Sequence, residues 1–105
     1  MNMKTTEKQF ESFKQECHKW IKFFGLKDWR IKITHEDIDE NFTAADVTHN
    51  SRSRQAAIRL NTTLHDDLKD IDVKVSAFHE VCHLLLADLT CLTRSRECSE
   101  YEIEK

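Results

Sequence analysis

The stretch from about Asp70 to Leu89 constrains this chain most. Val73, Ala77, Val81, Leu84, Leu85 and Leu89 recur there at helical steps and give one long helix an unusually broad apolar surface. Such a helix is predicted to be buried on most sides, so the remaining residues must supply the elements that cover it. The chain has 105 residues, the usual size of one domain. With no Pro and one Gly it contains no linker at which a boundary could fall. A single domain over 1–105 is the expectation.

Two kinds of element are predicted to cover the helix. Phe10, Phe13, Cys17, Trp20, Ile21 and Phe24 mark one face of an amphipathic helix, which Thr6 and Gln9 open as a capping box and Gly25 ends. Trp29, Ile31 and Ile33 then alternate with Arg30, Lys32 and Thr34 at the period of a half-buried strand, with His35 at its exit. The acidic run from Glu36 to Asn41 reads as a loop. Phe42 to Thr48 and Gln55 to Leu60 read as two further strands, joined by the polar residues His49 to Arg54. Ala56, Ile58 and Leu60 make the second of these the firmer strand, whereas Ala44-Ala45-Asp46 has weak strand preference and suits an edge. The predicted class is α+β, with an N-terminal helix, a small and mostly antiparallel sheet of about three strands, and the buried helix.

Composition excludes several classes of function. A formal net charge of −3 gives no global attraction to nucleic acid or anionic lipid. The longest mostly apolar run, Val81 to Ala87, is far short of the roughly 20 residues needed to span a bilayer. The polar N-terminal residues lack a secretion signal, so a cytoplasmic location and reduced thiols are expected. Cys17, Cys82, Cys91 and Cys98 form no Cys-x-x-Cys pair, which argues against a zinc ribbon or a thioredoxin-like site and for free thiols.

Within the apolar helix the chain reads Phe78-His79-Glu80-Val81-Cys82-His83, the pattern His-Glu-x-x-His. One helical turn separates His79 from His83, so both imidazoles can reach one Zn²⁺ at about 2.0–2.1 Å. Glu80 projects about 100° round from His79 and can approach a metal-bound water without displacing a ligand. Zn²⁺ lowers the pKa of that water towards roughly 7, and a carboxylate beside it can take the proton and later deliver it to a leaving amine. With 6 His and 10 Glu in 105 residues, chance yields about 0.03 such matches. The motif also places three ionisable groups on an apolar element, where burial without a partner costs several kcal/mol.

Around His79-Glu80-Val81-Cys82-His83-Leu84-Leu85-Leu86-Ala87 the sequence resembles the zincin metallopeptidases, and among them the small phage- and prokaryote-encoded metallopeptidases of the gluzincin-like group. The metzincin pattern is excluded, because Leu89 stands at its third-histidine position and Leu86 at its glycine. The resemblance implies an N-terminal helix, a small sheet, the active-site helix and a further helix that carries a glutamate as third ligand. A loop after Leu89 followed by Ser99-Glu100-Tyr101-Glu102 supplies such a helix start. Glu102 ranks first as the third ligand and Glu104 second, with Glu97 and Glu100 as further candidates. A helix from Ser99 to Lys105 is under two turns, so the expectation is of a domain truncated at its C-terminus.

The other ionisable residues read as surface groups: His18, His35, His49, His65, and a basic cluster of Arg52, Arg54 and Arg59. His49 is set apart, because a strand end beside a catalytic helix can furnish the group that stabilises a tetrahedral oxyanion. Asp88, about 140° from His83, is disfavoured as a ligand. Three functions are consistent with these residues. The first is a zinc peptidase with His79, His83 and Glu102 on the metal, Glu80 as general base, and a peptide or protein substrate extended along an edge strand, Phe42 to Thr48. The second is a non-catalytic regulatory or interaction module with a structural zinc site, and the third a metal-free domain with coincidental histidines. A structural site has no need of Glu80 beside its histidines, which separates the first two.

Overall fold

Thr6 opens the first helix as its capping box predicts. Its hydroxyl accepts from the Gln9 N–H at 3.0 Å, and the Gln9 side chain accepts from the Thr6 N–H at 2.8 Å. Two donors left over by the helix start are thereby satisfied. The structure is a computed structural model that describes residues 2–38, 43–65 and 71–104, with side chains described from residue 4 to residue 90 of these. Its elements in chain order are β1 (Asn2–Lys4), α1 (Glu7–Phe23), β2 (Arg30–Glu36), β3 (Ala45–Asn50), β4 (Gln55–Asn61), β5 (Thr63–His65) and α2 (Val73–Glu104). Gly25 ends α1 with a φ of +70°, where its N–H donates to Lys22 O and the Leu26 N–H donates to Ile21 O. This pairing satisfies the last carbonyls and needs a residue that tolerates the left-handed region.

The three-stranded sheet runs in the order β2-β4-β3. β3 and β4 form an antiparallel hairpin, but β2 pairs with β4 in parallel, from Arg30 opposite Gln55 to Glu36 opposite Asn61. The sheet is therefore mixed, not mostly antiparallel. Alternation with period two is the same whichever way a strand runs, so the residues of β2 carry no sign of its direction. A second, two-stranded sheet pairs β1 with β5, and no local pattern announces it.

One face of the sheet and both helices enclose the core. Ala56, Ile58 and Leu60 of β4 meet Phe13 and Cys17 of α1 and Val73, Ala77, Val81 and Leu84 of α2. The expectation that α2 is buried on most sides fails: Val75, Phe78, Leu86 and Leu89 are exposed. With one helix and one sheet face available, only the inward stripe of α2 is covered. α2 also begins later than expected, behind Asp72, whose carboxylate accepts from the Lys74 N–H at 2.9 Å. It then runs on to Glu104 without the expected break after Leu89. The sequence after Leu89 contains neither Gly nor Pro, so nothing there stops a helix. Among the described residues no helix is long and apolar enough to cross a membrane.

Candidate metal centre

α2 presents His79 and His83 at its surface, one turn apart, with their Nε2 atoms 2.9 Å from each other and their rings 4.4 Å apart and nearly perpendicular. Two nitrogens that bind one tetrahedral ion at about 2.0–2.1 Å stand roughly 3.3 Å apart, so the pair converges on a point an ion can occupy with little movement. Glu80 lies beside them with one carboxylate oxygen near both, and among the described residues these three form the one group whose ligand atoms all lie within 4.8 Å.

Glu80 differs from the histidines in its surroundings. It is 6 % exposed, and its Oε2 is fully buried with no hydrogen-bond partner among the described residues. Burial first, and the nearby Asp46 second, push its carboxyl up from 4.5 to about 7. A buried polar atom without a partner costs about 1–3 kcal/mol, a cost that an approaching proton donor or cation would relieve.

Two cavities flank Glu80 and share it with Ala45. One of about 350 Å³ is lined by Ala45, Asp46, Val47, His49, Glu80 and His83; the other, of about 290 Å³, by Ala44, Ala45, Val75, Ser76, His79 and Glu80. They lie where β3, the edge of its sheet, passes α2. A larger depression, about 690 Å³, lies on residues of β2, β4 and β3 and is lined by neither His79, Glu80 nor His83. Converging ionisable groups, not size, mark the site.

The other sequence candidates fall out as follows. Glu97, Glu100, Glu102 and Glu104 lie outside the residues whose side chains are described. Their backbone continues α2, so Glu97 is about 21 Å and Glu102 about 28 Å along the axis from His83. The expectation of Glu102 as third ligand falls on a side chain outside the described residues. The loop expected after Leu89 is helix instead. Two residues of the basic cluster are paired with carboxylates: Arg54 with Asp88 at 2.7 Å, and Arg59 with Asp46 through two contacts. His35 is half-buried instead of exposed, stacked on Phe10 and in contact with Thr5 Oγ1. His49 belongs to β3 and not to the turn, and it faces the cavity that holds Glu80 and His83. Asp46 was not singled out in the sequence, and a lone Asp in a strand of weak propensity gives no signal for its place beside Glu80. No family model, no curated protein and no solved structure matches the chain.

Proposed function

We propose that this domain is a zinc-dependent peptidase of the zincin type, acting in the cytoplasm on peptide or protein substrates. The observation that carries the reading is the convergence of His79 and His83 beside a buried carboxylate, Glu80, whose Oε2 lacks a partner among the described residues. His79 and His83 would hold the metal through Nε2. A bound zinc ion supplies a Lewis acid and makes water a competent nucleophile near neutral pH. Glu80 takes the proton of the attacking water and returns it to the leaving amine nitrogen as the C–N bond breaks. In the metal-free chain burial holds the Glu80 carboxyl up near 7, and a cation bound beside it would favour the carboxylate that accepts the proton. Among the described residues β3 is an edge strand alongside the site, on which a peptide can be held extended by main-chain hydrogen bonds.

The experiment is Glu80→Gln. Gln keeps the size of the side chain and removes the proton acceptor. Hydrolysis of an internally quenched peptide library should fall by about 10²–10⁴-fold while zinc content stays unchanged. Undiminished turnover with full zinc would contradict the mechanism, and a zinc-loaded wild type inert towards all peptides would favour the structural-zinc module instead.

A further inference from the structure

Two donors from distant parts of the chain converge on Asp88, five residues after His83 on α2. The Trp29 indole Nε1 donates to its Oδ1 at 3.1 Å, and Arg54 Nη1 donates to the same oxygen at 2.7 Å. The Arg54 guanidinium also lies 5.7 Å from the centre of the Trp29 ring. Arg54 ends the β3–β4 turn with a φ of +56°, in the left-handed region that disfavours any side chain larger than glycine's. The side chain retained there is the one that reaches α2. Trp29, 6 % exposed, meets the His49 ring edge-on with centroids 6.3 Å apart. His49 shares a strand face with Ala45 and Val47 and sits opposite the small Ala56, which leaves room for its ring. It lines the cavity that also contains Glu80 and His83, yet stands outside the group of converging ligand atoms. His49, Glu80 and His83 thus border one cavity of about 350 Å³.

We infer that Trp29, Arg54 and Asp88 are positioning residues that clamp the β3–β4 hairpin onto α2, and that the side chain they position, His49, is a catalytic residue that donates a hydrogen bond to the carbonyl oxygen of a peptide held between β3 and the histidine pair. The inference rests on the peptidase reading. As the water oxygen bonds to the carbonyl carbon, the carbonyl π pair moves onto oxygen and the water's proton goes to Glu80. The His49 N–H meets the charge that develops on that oxygen. When the C–N bond breaks, the pair re-forms the carbonyl and the proton on Glu80 passes to the amine. A donor placed for the charged oxygen stabilises it more than the neutral carbonyl.

The test uses the zinc-loaded full chain and an N-phosphoryl dipeptide, whose tetrahedral oxyanion imitates the attacked carbonyl. His49→Ala should weaken its binding, measured by calorimetry, at least tenfold, with zinc affinity unchanged and partial recovery in His49→Gln, which retains an N–H donor. Arg54→Gly removes the clamp at a position that suits glycine, so the fold is kept. It should shift the His49 ring proton resonances and weaken the phosphoryl dipeptide about three- to tenfold. Unchanged binding in His49→Ala, or no binding of the probe by zinc-loaded wild type, overturns the role of His49. Unchanged His49 resonances in Arg54→Gly overturn the clamp. A wild type that takes up no zinc sinks the peptidase reading itself, while the resonances still decide the clamp.

Discussion

Glu80 is held in a place that suits a base and harms the metal-free fold. Its carboxyl rises from 4.5 to about 7 on folding, chiefly through burial. A group whose folded pKa is raised binds more protons in the native state across that window. Its contribution is complete below pH 4.5 and is lost as pH rises to about 7. Glu80→Gln, which is neutral at every pH, should therefore raise the stability of the metal-free protein by about 1–3 kcal/mol at pH 8 and change it little at pH 4. Urea denaturation at the two pH values measures this, and equal effects at both would contradict the assignment. Cys17 makes the complementary case. Burial, with Glu80 and Glu16 nearby, pushes its thiol up to about 12. Native alkylation at pH 8 should spare Cys17 and modify the half-exposed Cys82, as read by mass spectrometry of the digested protein. Modification of Cys17 in the folded chain would show that its site opens. Of the three central site residues, His79, Glu80 and His83 were all legible from one short motif, because helical spacing fixes their geometry. Asp46 was not, since its nearness to Glu80 arises from strand packing across more than thirty residues of chain.

At the scale of elements, α1 could be read almost to the residue, because its two ends carry their own chemistry in Thr6, Gln9 and Gly25. The core-facing residues of β4 were equally plain. β1 and β5 were not, because each has three residues and exists by pairing with a partner some sixty positions away. The length of α2 was also hidden, since the apolar stripe that announces it fades after Leu89 while nothing breaks the helix. Asn61 joins several of these elements and had no signal in the sequence. It is fully buried, its Oδ1 accepts from the N–H groups of Ile38 and Thr63, and its Nδ2 donates to Thr43 O. The Asn61 carbonyl in turn accepts from Thr5 Oγ1 at 2.7 Å. Asn61→Ala should cost about 1–3 kcal/mol, because it removes the acceptor of the buried Ile38 N–H and of the part-buried Thr63 N–H. Chemical denaturation measures the loss, and a change below about 1 kcal/mol would mean that water replaces the amide.

For the whole molecule, a small sheet and α1 cover one stripe of α2 and leave the histidine pair at the surface, where β3 passes it. An ion that binds this fold and not the unfolded chain adds stability by mass action, about 2.7 kcal/mol at one hundred times its dissociation constant. Zinc should accordingly raise the melting temperature of the wild type, chelation should reverse the rise, and neither should affect His79→Ala. The central claim is that His79 and His83 form one metal site whose neighbour Glu80 serves chemistry and not coordination. Equilibrium dialysis against zinc under a weak chelator tests it most directly. The expected result is about one ion per chain for the wild type and for Glu80→Gln, and none for His79→Ala or His83→Ala. Zinc retained by both histidine variants, or lost from Glu80→Gln, would contradict it.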